Sequence, residues 1–101
     1  MGEDVTLRLG NLPPSEFSRE FMQAMINRLA VGYHRYGSVR DTAGKIDRVK
    51  SMDQRLGKYL ETGNTEFLID VANFAMIEFL TPSVPHAGWD ATGESPGVER
   101  L

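Results

Sequence analysis

The stretch from Phe67 to Leu80 is apolar on nearly every side of a helix and is interrupted only by Asp70, Asn73 and Glu78. Because two neighbouring helices cannot cover such a surface within one small chain, a second copy of the chain is expected to cover the rest. The stretch is shorter than the ~20 residues that span a bilayer and it carries charge. It therefore predicts a buried helix rather than a membrane span.

Two other helices are predicted before this one, from the spacing of apolar residues at intervals of three and four. The first starts after Ser15 and ends before Gly37, and the second covers residues 43–62. The third begins near residue 65 and ends at about Leu80, since Pro82 prevents continuation. The predicted capping and closing residues are Ser15, Asp41 or Thr42, Gly63, and Asn64 or Thr65.

These helices define one core domain, residues 15–80, between two extended ends. Residues 1–14 form an N-terminal arm, in which residues 5–9 alternate like a short strand. Residues 81–101 are rich in Pro and Gly and form a C-terminal tail, whose Trp89 is expected to dock on its own domain or on a neighbouring copy. The predicted fold class is all-α: a three-helix subunit with an arm and a tail that assembles into an oligomeric helical bundle, a dimer or a tetramer.

The charge and the cysteine count exclude several classes of function. The formal net charge is -3, which provides no basic face for the phosphates of duplex DNA or RNA. The chain has no cysteine, so disulfides, thiol nucleophiles and thiolate zinc sites are excluded. The acidic start of the sequence is unlike a secretory signal. We expect a cytoplasmic protein without a membrane segment.

Three polar residues of the third predicted helix lie within one narrow sector, because Glu66, Asp70 and Asn73 are at positions i, i+4 and i+7. Two carboxylates and an amide oxygen are hard ligands of the kind that Mg²⁺ or Mn²⁺ prefers. A carboxylate in an apolar helix also needs compensation by a metal, a cation or hydrogen bonds. The spacing predicts a metal site on this helix.

The second predicted helix carries cations at helical spacing, and Lys45, Arg48 and Lys50 are predicted to bind phosphates. An alternative interpretation needs no ligand. In that case Asp70 forms an ion pair with a cation of the second helix, where Lys45, Arg48, Lys50 and Arg55 are available, and Asn73 bonds to the backbone. The residue pattern alone is compatible with both interpretations.

The residues from Tyr36 through Lys45-Ile46-Asp47-Arg48 to Thr65–Phe74 resemble small phage-type MazG-like proteins of the all-α nucleoside triphosphate pyrophosphatase superfamily. In that resemblance Glu66, Asp70, Asn73 and Phe74 match an acidic residue, three spacers, Asp, two spacers, then Asn and an aromatic residue on the metal-binding helix. The resemblance implies a helical dimer or tetramer that uses Mg²⁺ to hydrolyse a nucleotide between its α and β phosphates.

One departure from the superfamily pattern keeps a second function open. The better-known members carry two adjacent glutamates and a third one three positions further on, on the preceding helix, whereas this chain has only Asp47, Asp53 and Glu61 there. The first hypothesis is a metal-dependent NTP or dNTP pyrophosphohydrolase-like protein, with a nucleotide as substrate. The second is a catalytically inactive helical protein-interaction module, also of phage type.

Overall fold

The computed structural model describes residues 12–91, and within that range the protein is helical and has no strand. The all-α prediction is confirmed for these residues. The strand-like stretch at residues 5–9 and the part of the tail from residue 92 onward lie outside the described range. A short 3₁₀ turn at Pro14–Glu16 precedes the α-helices, which are α1 (Arg19–Tyr36), α2 (Val39–Thr42), α3 (Arg48–Thr62) and α4 (Glu66–Leu80).

Helix α1 starts three residues later than predicted, because Ser15 does not cap it. Pro14 begins a 3₁₀ turn that contains Ser15, and Phe17 is extended. The cap is Ser18, whose hydroxyl accepts a hydrogen bond from the Phe21 amide at 3.0 Å. At its other end α1 stops at Gly37, as predicted, with φ at 84°. The side-chain oxygen at Ser18 satisfies one of the free amides of the first turn.

The second predicted helix starts five residues later than expected, at Arg48, and Asp41 and Thr42, the predicted caps, lie instead within the separate short helix α2 that precedes it. Ser38 caps the short helix α2, and the chain then passes through Gly44 with φ at 80°. A residue with a Cβ rarely adopts this left-handed conformation. Asp47 restarts the helix as the cap of α3, accepting from the Lys50 amide at 2.9 Å. Gly63 closes α3 in the left-handed conformation, as predicted.

Helix α4 is the centre of the fold. It packs along α3 and meets α1 over a shorter stretch. The connection from α3 is short, and within it the Asn64 side chain accepts from the Glu66 amide at 3.0 Å, while Thr65 forms no capping bond with its side chain. The third predicted helix is therefore confirmed at both ends, with Asn64 as the residue that satisfies its first amide.

The apolar surface of α4 is only partly covered within the described residues, where most of its apolar side chains are half-buried. Ile69, 8% exposed, is the only buried apolar residue of the described range. Phe79 and Leu80 at the end of α4 are exposed, as are Leu56 and Leu60 on α3. Since each large apolar side chain gains about 1.5 to 3 kcal/mol on full burial, much of the favourable free energy available to this sequence is not realised in a single described subunit.

The first residues of the predicted tail pack on the helices, whereas Trp89 does not. Thr81 ends α4, and Ser83 bonds to Glu78 through both its amide and its hydroxyl. Trp89 is 83% exposed, so it has not docked on the described part of its own chain. Among the described helices, none is both long enough and apolar enough to cross a membrane.

Candidate functional site

Glu66 and Asp70 converge on one arginine of α1. The Arg28 Nε donates to Asp70 Oδ1 at 2.8 Å, and its Nη1 lies 3.3 Å from Glu66 Oε2. Both carboxylates come from the polar stripe of α4, one helical turn apart, and Arg28 reaches them from the facing helix. The stripe thus brings two carboxylate oxygens to a single cationic position.

The second oxygen of Asp70 faces α3. Arg55 Nε lies 3.7 Å from Asp70 Oδ2, which is an ion pair but too long for a hydrogen bond. The Arg55 guanidinium also stands over the Phe74 ring, 5.1 Å from its centroid. Asp70 is only 17% exposed in its side chain and lies between two cations, so its charge is compensated without a metal. Arg55 is one of the four cations that the ligand-free interpretation offered as a partner for Asp70.

Asn73 lies one turn beyond Asp70 and is 7% exposed. Its Nδ2 donates to the Met25 carbonyl of α1 at 3.1 Å, which is the backbone bond anticipated by the ligand-free interpretation. Its Oδ1 is buried and has no hydrogen-bond partner. A buried amide oxygen without a donor destabilises the folded state by about 1 to 3 kcal/mol, unless a ligand or water supplies a donor or a cation.

These side chains lie at a groove of about 420 Å³. Its walls come from the second half of α1 and from α2, and α4 supplies Asp70, Asn73 and Phe74. Charged, aromatic and aliphatic side chains line it together, and two tyrosines of α1 are exposed on it. The residues that carry charge or an aromatic ring are Arg28, Tyr33, Arg35, Tyr36, Arg55, Asp70 and Phe74.

The three cations predicted to bind phosphates are not brought to this groove. Lys45 follows Gly44 in the irregular segment between α2 and α3, and Lys50 is exposed on the first turn of α3. Neither lines the groove. Its cations are Arg28, Arg35 and Arg55 instead. The break at Gly44 causes part of this difference, because it removes Lys45 from the helical row that the sequence predicts.

Arg48 binds the C-terminal end of α4. Its side chain is buried, with the whole residue 4% exposed, and Nη1 and Nη2 donate to Thr81 Oγ1 at 2.6 Å and the Thr81 carbonyl at 2.7 Å. Nη1 also donates to the Ile77 carbonyl at 3.3 Å, and Nε lies 3.4 Å from Glu78 Oε1. A cation is favourable here because the last carbonyls of a helix are unsatisfied and carry the negative end of its dipole. We call this group the Arg48 clamp.

Glu78 completes the Arg48 clamp from α4. The Ser83 amide and hydroxyl donate to Oε2 at 2.7 and 2.8 Å. These hydrogen bonds, the one from the backbone first, lower the pKa of Glu78 below its ordinary value, and the Arg48 charge adds to the effect. The carboxylate therefore stays ionised in mildly acidic solution and continues to accept from Ser83.

Within the described range no group of three or more His, Asp or Glu side chains is arranged to hold a metal ion. The groove is lined by one carboxylate, Asp70, and by Asn73, whereas Glu66 pairs with Arg28 but does not line the groove. His34 is exposed, and its ring packs edge-on against the ring of Tyr33.

Comparison with known proteins identifies no relative: no family model, no curated protein and no solved structure matches this chain.

Proposed function

We propose that this chain is a cytoplasmic, metal-dependent nucleotide-binding protein of the pyrophosphohydrolase type, and that a nucleoside triphosphate or deoxynucleoside triphosphate occupies the groove. The observation that carries the proposal is the meeting of Glu66 and Asp70 at one cationic position, next to the unpartnered oxygen of Asn73. All three residues belong to the stripe that resembles the metal-binding helix of the MazG-like proteins.

The oxygen donors fit Mg²⁺ or Mn²⁺ as they are used in phosphate chemistry. Mg²⁺ at such sites takes one or two carboxylates, and water and substrate phosphates complete its octahedron. Glu66 and Asp70 would hold the metal, and Asn73 would orient a ligand or a water molecule. The bound metal would supply an activated water and would neutralise charge on the oxygen that bridges the α and β phosphates.

The charge of the groove suits a metal-bound triphosphate. Arg28, Arg35 and Arg55 bring three positive charges to its lining and Asp70 brings one negative charge, while Glu66, which pairs with Arg28 outside the lining, adds a second. A triphosphate keeps a net negative charge after it binds one divalent cation, so it complements a site with this excess of arginine. Guanidinium groups also bind phosphate oxygens in pairs. In this proposal the phosphate-binding role belongs to these arginines rather than to Lys45, Arg48 and Lys50.

The tyrosines offer a surface for the base. Tyr33 and Tyr36 are exposed on the last turns of α1 and line the same groove as the arginines. Stacking of a base on an aromatic ring is worth about 1 to 3 kcal/mol and tolerates any base, so it supports a nucleotide without selecting one. The arrangement therefore supports a nucleotide as a class rather than a particular base.

A homo-oligomer, a dimer or a tetramer, is part of the proposal. The exposed apolar residues of α3 and α4 support it, since obligate interfaces are apolar in the same way as a core. The general base is left unassigned.

Pyrophosphate release from a panel of nucleotides, assayed with and without MgCl₂, tests this function. We expect metal-dependent release from at least one triphosphate, and Glu66→Gln should abolish it by removing one metal ligand. Glu61→Gln, an exposed glutamate on α3, is the matched control and should retain activity. If no nucleotide is hydrolysed and none raises the melting temperature in the presence of MgCl₂, the proposal is wrong.

A helical interaction module is the second candidate, favoured by the exposure of Trp89 and of the apolar end of α4. An apolar patch of this kind marks a surface that binds protein. The two candidates differ in what stabilises the protein. A protein that responds to neither metal nor nucleotide, and that still self-associates through α4, would support the module over the hydrolase.

A further inference from the structure

We propose that Arg28 occupies, in the free protein, the position between Glu66 and Asp70 that the divalent cation takes in the complex, so that the cation enters only together with a nucleotide. This inference rests on the proposed function and adds an order of binding to it. Arg28 would then be a positioning residue that keeps the two carboxylates ready and excludes bare metal.

The geometry provides the first argument. One guanidinium contacts Glu66 Oε2 at 3.3 Å and Asp70 Oδ1 at 2.8 Å, so the two oxygens already surround a single cation. An ion that bound both oxygens would occupy the space of that guanidinium. Arg28 and the ion are therefore mutually exclusive at this position, and binding of one requires that the other leave.

The surroundings of Arg28 allow it to leave. Its side chain is 46% exposed, in contrast to the buried side chain of Arg48, and it lines the groove from the middle of α1. A half-exposed guanidinium recovers hydration when its ion pairs break, so its displacement costs far less than that of a buried one. Arg55 remains on the other side of Asp70, held over the Phe74 ring.

Charge decides when the exchange is favourable. Arg28 and Arg55 already neutralise Glu66 and Asp70, so a bare divalent ion would approach a compensated cluster and would be repelled by both guanidinium groups. A metal-bound triphosphate offers the displaced Arg28 a phosphate to bind in place of the carboxylates. The exchange therefore conserves the ion pairs of Arg28 only when the nucleotide is present.

Asn73 provides an independent indication that a ligand belongs here. It is more than nine-tenths buried, it lines the same groove as Arg28 and Asp70, and its Oδ1 has no partner. Arg28 does not bond to it. Glu66 and Asp70 have cationic partners in the free protein, but the buried Oδ1 of Asn73 has none. Buried acceptors normally have a partner, so this oxygen indicates that a ligand completes the site.

The test measures binding of Mn²⁺ alone by the electron paramagnetic resonance signal of the free ion, with the intact chain and no nucleotide. We expect wild type to bind Mn²⁺ weakly, and Arg28→Gln to bind it at least about tenfold more tightly, because a positive charge next to the site is removed. Arg40→Gln, an exposed arginine of α2 outside the groove, is the matched control and should behave as wild type. Adding Asp70→Asn to Arg28→Gln should abolish the gain.

A second variant and a second ligand make the result decisive. Arg28→Lys, whose single ammonium replaces a bidentate group, should gain less than Arg28→Gln, and it serves if the glutamine variant does not fold. Equal Mn²⁺ binding by wild type and both Arg28 variants overturns the inference. Thermal melts of wild type with MgCl₂ and a mixture of ribonucleoside and deoxynucleoside triphosphates report separately on the proposed function. If Arg28→Gln binds Mn²⁺ more tightly but nucleotides do not raise the melting temperature of wild type, Arg28 excludes metal and the nucleotide part of the proposal is wrong.

Discussion

Arg48 and Arg28 both contact acidic residues of α4, the first near its C-terminal end and the second near its N-terminal end. Arg48 is buried and donates to two carbonyls and a hydroxyl, groups that do not change charge or leave. Arg28 is half exposed and contacts only carboxylates. The comparison shows one guanidinium that is buried and bound mainly to backbone, and another that is half exposed and paired with carboxylates, which is the difference that our proposal of exchange at Arg28 depends on.

The largest effect should come from Arg48→Met. It leaves the Thr81 carbonyl and the Glu78 carboxylate without their cation in a buried setting, so we expect the free energy of unfolding to fall by about 3 kcal/mol. Urea denaturation followed by circular dichroism measures it. Arg40→Met, at an exposed position, should change it by less than about 0.5 kcal/mol. Equal effects of the two changes would contradict the structural role of the Arg48 clamp.

Asp70→Asn should have a smaller effect, although it removes the partner of two arginines. Arg28 and Arg55 are partly exposed and can be hydrated, so we expect a loss of about 1 to 2 kcal/mol in the unfolding free energy. Asp53→Asn, an exposed carboxylate of α3, is the control in the same urea titration. A loss as large as that of Arg48→Met would show that the two arginine sites are equally structural.

Asn73→Leu should be close to neutral for stability. The Met25 carbonyl lies inside α1, where a helix amide already bonds to it, and the change also removes the unpartnered Oδ1. We expect the free energy of unfolding to change by less than about 1 kcal/mol. Leu is an apolar side chain of similar shape, and it removes both the hydrogen bond of Nδ2 and the unpartnered oxygen Oδ1. The thermal response to MgCl₂ with triphosphates should nevertheless be lost, whereas Asn27→Leu should keep it. A strongly destabilised Asn73→Leu variant would place Asn73 in the fold rather than in the site.

The smallest effect concerns pH and the Glu78 side of the Arg48 clamp. Because the pKa of Glu78 is lowered in the folded state, its charge contributes stability above the unfolded-state value of about 4.3, and this contribution is lost as the pH falls through the folded-state value. The difference in melting temperature between wild type and Glu78→Gln should therefore shrink as the pH falls below about 4.3. Ser83→Ala should remove part of the same dependence. A constant difference would rule out the lowered pKa.

The elements that local sequence determines were predicted well. The apolar run and Gly63 place α4 and the end of α3 correctly, since capping and periodicity depend on residues a few positions apart. The late start of the second predicted helix was missed because apolar spacing continues through Ile46 and Val49 across its true beginning. Asp47, a good N-cap inside that pattern, was the signal that could have located it.

The site divides in the same way. The convergence of Glu66 and Asp70 follows from positions i and i+4 on one helix, and the structure places both at Arg28. Arg28 itself was not predicted, because it is 42 residues from Asp70 in sequence and only the docking of α1 on α4 brings them together. Arg55 was only one of four cations of the second predicted helix that could have paired with Asp70, and the spacing did not single it out. Which cation reaches a carboxylate is a tertiary property that spacing does not encode.

The short connection between α3 and α4 has a consequence for the order in which the chain assembles. A helical hairpin with a short loop closes early, since its contacts are local, whereas α1 must find α4 across a long intervening segment. Parts that join last and with fewer contacts also open first, so backbone amides of α1 should exchange with solvent faster than those of α4. Arg28 leaves with α1 in each such opening, and the groove exists only while α1 is docked. A ligand that bridges α1 and α4 should therefore slow the hydrogen exchange of the α1 amides, and this slowing would detect its binding.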